Sequence, residues 1–330
     1  MKKNVKFIGM MCMVALFAVS ASSCKKSEEN AEFTVSLGQM HEDPTDRAYV
    51  DLNGQFRWNN GDKIMVYNLS SNGNSIAREY TALPGAGGQT TTKFKGRPVG
   101  AKKDLGFRYF YPAGKASGAS TLPDNRETFT VSDRQEYNSD YLADPNALVL
   151  AGKPESLSDN ITLDHIFGIL NLRINTSRTD SPCVKEIIVE DKVFNLSGQL
   201  SLNLGAIESS EEFTRLLGLL EGGDATYANE MARYLQSIGY YEDNNGADRF
   251  MTLDCSKVSN GTTTGVMLTG EPKRFRIVLR PGALYRGFKV TIKFMNPEIE
   301  DYVFDDYWDG VDVHNVIKPA WFTTFDITVD

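Results

Sequence analysis

Apolar positions in this chain recur mostly at every second residue, in short runs broken by Gly, Pro, Asn and Asp. That period predicts half-buried strands, and the breaks predict turns. The densest stretch is Ile161 to Leu196, ITLDHIFGILNLRINTSRTDSPCVKEIIVEDKVFNL. Ile166, Gly168, Leu170, Leu172 and Ile174 fall on one face there, and Phe167, Ile169 and Asn171 on the other. One well-buried strand is expected, followed by a half-buried partner carrying Val184, Ile187, Val189 and Phe194. The polar NTSRTDSPC between them is too short for the crossover helix of a parallel α/β unit.

The same pattern reads as strand at Glu32–Leu37, then as a polar loop from Gly38 to Arg47 that is interrupted by Pro44. Phe56 and Trp58 alternate before an Asn59-Asn60-Gly61-Asp62 turn, and Ile64, Val66 and Tyr67 open the next strand. Further strands are expected at Ala77–Leu83, Thr91–Phe94, Leu105–Tyr111 and Phe129–Val131. After a boundary placed at Pro154–Asn160, they resume at Gly198–Leu204, Phe250–Leu253, Val266–Leu268, Phe275–Leu279, Phe288–Phe294 and Trp321–Val329. Only one region changes period. Phe213, Leu216, Leu217 and Leu220 recur at helical spacing between a Ser209/Glu212 capping box and Gly222-Gly223. A second helical stripe follows, with Met231, Tyr234, Leu235 and Ile238. The pattern thus predicts a mainly β chain with a small helical insertion at about 209–238. Its units would be 32–158 and 159–330.

The first residues follow another logic. Lys2, Lys3 and Lys6 precede an apolar stretch, Ile8 to Val19, that is short for a membrane span. Small residues then lead to a cysteine, Ala21-Ser22-Ser23-Cys24, the pattern of a bacterial lipobox. Residues 1–23 therefore read as an export signal, Cys24 as the site of lipidation, and 24–31 as a hydrophilic tether. Several acyl chains on Cys24 would hold the protein to a membrane, each buried methylene contributing about 0.8 kcal/mol. Removing Met1–Ser23 takes three lysines with it and moves the net charge from −8 to −11. Such acidity disfavours a nucleic-acid partner. Export into an oxidising compartment also makes Cys183 and Cys255 a candidate disulfide, with two buried thiols as the alternative.

Catalytic and metal motifs are sparse. His41, His165 and His314 share no metal-ligand spacing, and no HExxH, CxxC or GxSxG occurs. The acidic run Glu298–Asp312 offers oxygen ligands, yet Tyr307 breaks the EF-hand pattern, and a solvated loop is expected. Gly85–Gly88 lacks the frame and following helix of a phosphate loop. Trp58, Trp308 and Trp321 could stack on sugars, but they stand at strand positions where core roles are commoner. No metal, no cofactor and no catalysis are expected.

Several segments taken in order resemble the fimbrillin-like (Mfa-like) family, the pilins and pilus-associated lipoproteins of Bacteroidetes. They are the lipobox, FRWNNGDKIMVY (56–67), FRYFYP (107–112), LDHIFGILNLRI (163–174), LSGQLSLNL (196–204), LRPGALYRGFKVTIKF (279–294) and a closing apolar strand. The resemblance runs from about Gly54 onward. It implies two tandem transthyretin-like β-sandwich domains; the helical insertion read from the spacing would lie in the second. It also implies proteolysis in the loop after the first strand, which maps here to the bond between Arg47 and Ala48. Loss of Glu32–Leu37 would open a groove for a strand from the next subunit. The donor would be the last strand, with Phe322, Phe325, Ile327 and Val329, whose register is left open because Phe322 and Phe325 differ in parity.

The resemblance thus implies a surface lipoprotein of the outer membrane, a fimbrial subunit or accessory adhesin assembled by strand exchange. The helical insertion and the acidic run depart from a plain shaft subunit and favour a tip or minor adhesin. Its partners would be other pilus subunits, the membrane through Cys24, and a host, bacterial or glycan ligand. A lipid-anchored carbohydrate-binding protein of a glycan-uptake system is the alternative. An anchored glycoside hydrolase is third, since no carboxylate pair is singled out.

Overall fold

Alternation becomes strand along the chain. The computed structural model describes residues 30–38, 57–116, 126–137, 143–152, 156, 160–192, 195–203, 249–259, 262–284, 287–307 and 316–330. The first strands are β1 (Ala31–Leu37), β2 (Lys63–Leu69), β3 (Ile76–Ala82), β4 (Thr91–Gly96) and β5 (Gly106–Tyr111). Next come β6 (Arg126–Val131), β7 (Arg134–Glu136), β8 (Leu150–Gly152) and β9 (Ile161–His165). Four more are β10 (Gly168–Thr176), β11 (Cys183–Asp191), β12 (Gly198–Asn203) and β13 (Phe250–Asp254). A short hairpin, β14 (Lys257–Ser259) with β15 (Thr262–Thr264), precedes β16 (Val266–Met267) and β17 (Lys273–Leu279). The last are β18 (Phe288–Phe294), β19 (Tyr302–Asp305) and β20 (Phe322–Val329). Single 3-10 turns stand at Ala113–Lys115 and Pro145–Ala147.

Seven strands close into a barrel in the order β1-β4-β3-β2-β5-β8-β9. Closure comes from β9 pairing in parallel with β1, Val35 opposite Ile161 and Leu37 opposite Leu163. Phe33, Val35, Ile64, Val66, Tyr80, Phe94, Tyr109 and Leu163 are buried here. Trp58 meets Phe94 and Tyr111 edge-on, at centroid distances of 4.9 and 5.3 Å, and is core. On the other face of β2 and β5 lies the ribbon β6-β12, with Phe129 against Phe110 at 5.5 Å. The hydroxyl of buried Tyr67 donates to the carboxylate of buried Glu127 on that ribbon.

The remaining strands form two larger sheets. One has three strands, β17-β10-β20; the other runs β19-β18-β11-β13-β7, with β16 also on β11. Their facing side chains meet, Phe288 of β18 lying 4.6 Å from Phe325 of β20. Gln135 of β7 crosses to β17, donating to Val278 O at 2.8 Å and accepting from Val278 N at 2.9 Å. On the outer face of the larger sheet, Arg134, Asp254, Glu186 and Lys293 form a charge ladder. Glu190 pairs with Lys289 beside it.

These pairings correct the expected architecture. Two tandem transthyretin-like β-sandwich domains do not describe it, because β1 fills the gap between β4 and β9 and leaves the first sheet without edges. The barrel takes β9 from beyond position 158, and β6 and β7 pair with β12 and β13. No α-helix occurs among the described residues, and the insertion expected at 209–238 lies outside them. Nor are β10 and β11 partners, since the link at Ser177–Pro182 carries the chain from one sheet to the other. Tyr302–Asp305, expected as solvated loop, is an edge strand on β18.

His165 closes β9 and is buried, which pulls its imidazole pKa down from 6.5 to about 3. On acidification the unfolded ring takes up its proton near pH 6.5, whereas the folded ring stays neutral until about pH 3. Stability should therefore fall across that window, by up to about 1.4 kcal/mol per pH unit from this one group. His165→Gln should flatten the dependence of unfolding free energy on pH between 6.5 and 3. Parallel profiles for the two proteins, measured by urea titration, would remove His165 as the cause.

Candidate strand-exchange site

Two strands distant in sequence from their partners define the site. β1 runs antiparallel to β4 over six pairs, Ala31 opposite Gly96 to Ser36 opposite Thr91. Its alternation sorts its side chains. Phe33 and Val35 point into the barrel, Phe33 against Tyr80 at 4.8 Å and Tyr109 at 5.2 Å. Glu32 and Ser36 point out, to Lys93 Nζ at 3.0 Å and Thr91 Oγ1 at 2.9 Å. The burial of Phe33 and Val35 contributes about 3–6 kcal/mol together, far more than the exposed Glu32–Lys93 pair at about 0–1 kcal/mol. Beyond β1, Gly38 N–H donates to Leu163 O at 2.7 Å. A Cβ there would meet the Asp164 carboxylate, so a larger residue would fit only by displacing that side chain.

β20 lies parallel to β10 over eight pairs, Ile169 opposite Phe322 to Thr176 opposite Val329. In this register Phe322 and Phe325 lie on opposite faces of β20. Ile327 and Val329 are buried, and half-buried Phe325 meets Phe288. Phe322 faces the other way and lies under the Arg276 guanidinium, 5.5 Å from its ring centroid. On that same face Asn171 Nδ2 donates to Thr324 Oγ1 at 3.1 Å, and Arg173 Nε to Asp326 Oδ1 at 2.6 Å. Thr328 Oγ1 donates to Asn175 Oδ1 at 2.8 Å. Polar rungs thus fix the register from outside while apolar side chains fix it from inside. At the start of β10, Gly168 admits the backbone of Lys318, which a Cβ would strike.

Other sequence candidates are placed as follows. Cys24, Arg47 and Ala48 lie outside the described residues, as do His41, His314, Trp308, Asp309 and Asp312. Cys183 and Cys255 are free thiols, so the candidate disulfide is not formed. Their sulfurs lie near carbonyls of their own segments, Ser181 O at 3.8 Å and Leu253 O at 3.7 Å. Burial, then the charges of Asp254 and Glu186, push the Cys255 thiol pKa up. Half-buried Trp321 lies under Lys318, 5.8 Å from its ring centroid. Among the described residues no cluster of three or more His, Cys, Asp or Glu could hold a metal ion.

Sequence reasoning missed Glu127 and Gln135. Glu127 shares the inward face of its strand with Phe129 and Val131, and an ionisable residue at such a position was the available signal. Burial, followed by the Glu127 charge, raises the Tyr67 phenol pKa. Gln135, between two charged neighbours in Arg134–Glu136, offered no such signal.

Neither a family model nor a curated protein matches the chain. Solved structures do resemble its overall course. A candidate cell adhesion protein from Bacteroides ovatus aligns over 90% of this chain and 91% of its own, at 13% identity and TM-score 0.48. One from Bacteroides uniformis aligns over 92% and 94%, at 14% identity and TM-score 0.43. A third, from Bacteroides fragilis, aligns over 92% and 93%, at 8% identity and TM-score 0.42.

Phe33→Ala should cost about 3–5 kcal/mol, the usual loss for emptying a buried phenylalanine site. Hydrogen exchange should then accelerate in β1 and in the facing amides of β4 and β9, with β10 and β20 little changed. Uniform acceleration across the chain would show instead that the seam does not open by itself.

Proposed function

We propose that the protein is a surface-exposed lipoprotein that serves as a fimbrial subunit or accessory adhesin and assembles by strand exchange, without catalysis. The observation that carries this reading is the position of β1, a short strand closing a barrel between β4 and β9. Its loss would leave two unpaired backbone edges above a groove emptied of Phe33 and Val35. An extended segment with alternating apolar side chains would satisfy both. β20, with Phe325, Ile327 and Val329 on one face, has that pattern.

In this reading residues 1–23 are removed on export, Cys24 carries the lipid and 24–31 tether the folded part to the outer membrane. Cleavage between Arg47 and Ala48 would release β1 together with the anchor. A neighbouring subunit's β20 would then occupy the groove, while uncleaved copies would stay lipid-bound as anchor or cap. No described helix is long and apolar enough to cross a membrane.

The test is a blot of the surface fraction, heated and unheated, with N-terminal sequencing of the same material. A heat-labile ladder whose subunits begin at Ala48 is expected, with Arg47→Ala giving a single lipid-bearing band. A single band with lipid still on Cys24 in the unaltered protein would refute polymerisation by this route.

A further inference from the structure

Away from both exchanged strands lies a cavity of about 330 Å³, lined in part by Lys115, Arg134, Glu136, Asp144, Asn146 and Asp254. Its walls come from the 3-10 turn at Ala113–Lys115, strand β7, the turn at Pro145–Ala147 and the residue ending β13. Two of its polar groups are fixed. Asp144 is buried, and its carboxylate accepts from the N–H of Glu136 at 2.9 Å and of Asn146 at 2.8 Å. Arg134 is held by Asp254 at 2.6 Å, with Glu186 behind at 3.7 Å.

Others are unspent. The side chains of Lys115, Glu136 and Asn146 have no hydrogen-bond partner among the described residues. For half-buried Lys115 this is costly, because its ammonium has lost part of its water and gained no acceptor. Burial draws the Lys115 pKa down, and the Asp144 charge opposes that shift without supplying a contact.

We propose that this cavity is a saccharide site that takes one neutral sugar unit through its vicinal hydroxyls. The volume sits at the lower end of small-molecule sites, about 300 to 1,000 Å³. An anion would meet the carboxylates of Glu136, Asp144 and Asp254, and a cation would meet Lys115 and Arg134. A hydroxyl both donates and accepts, so a pair of them can serve Lys115 and Asn146 as donors and Asp144 and Glu136 as acceptors. Among the described lining residues none is aromatic, so the contacts they offer a sugar are hydrogen bonds. This site stands whether or not the chain polymerises.

The test is titration of the purified, folded chain with the methyl glycosides of glucose, galactose, mannose and N-acetylglucosamine, followed by NMR or calorimetry. Glucuronate and glycine serve as anionic and zwitterionic arms. Saturable binding of at least one neutral glycoside is expected, weakened about tenfold or more by Lys115→Met, the usual scale for a lost hydrogen bond to a charged group. Asn146→Ala, at an exposed position, should weaken it as well without lowering the melting temperature. The proposal is overturned by no glycoside binding at tens of millimolar, by binding that survives both substitutions, or by binding of glucuronate or glycine alone.

Discussion

One extended run, Ile161–Thr176, closes the barrel as β9 and forms the centre of the three-stranded sheet as β10. Only Ile166 and Phe167 separate the two strands. Each receives, in parallel, a strand from far away in the chain: β1 on β9 and β20 on β10. The β10–β20 rungs span a sequence separation of 153 residues. Parallel pairs at such distances cannot be made by hairpins, and the loop-closure cost comes before the contacts that offset it. β10 is buried at Gly168–Leu172, where Asn171 is the one polar side chain.

The barrel and the sheets are joined by polar as well as apolar contacts. Tyr67 and Glu127 are both buried where the β6-β12 ribbon crosses β2 and β5. A buried hydrogen bond of this kind adds little net stability, but losing one partner leaves the other unsatisfied at about 1–3 kcal/mol or more. Such a pair therefore selects one seating of the ribbon on the barrel over neighbouring ones. The aromatic contacts around it, Phe110 with Phe129 and Phe129 with Phe167, are less directional.

Much of the strand content was legible because period two is a local property. Glu32–Leu37, Phe250–Leu253, Phe275–Leu279 and Phe288–Phe294 are read from side-chain alternation and recur as β1, β13, β17 and β18. What joins them was not legible. Whether β1 meets β4 and β9, making a barrel, or leaves an open layered sheet depends on register between distant backbones, which side-chain type records weakly. β19 escaped because its short run Tyr302-Val303-Phe304 sits inside an acidic stretch, and Asp305 at its end lies opposite Lys289 on the neighbouring strand. Of the candidate site, the apolar residues of β20 were visible and their register on β10 was not, since that rests on rungs such as Arg173 with Asp326. The cavity at Lys115 was hidden because its walls come from segments whose sequence separation says nothing about their proximity.

Gln135 has a consequence beyond the hydrogen bonds it makes. Its amide covers the outward N–H and C=O of Val278, blocking part of the free margin of β17 with a side chain instead of a strand. The opposite margin of that sheet is β20. A strand edge capped by a side chain is a poor template for another chain, so this stretch of β17 is guarded against edge-to-edge pairing without a strand of its own.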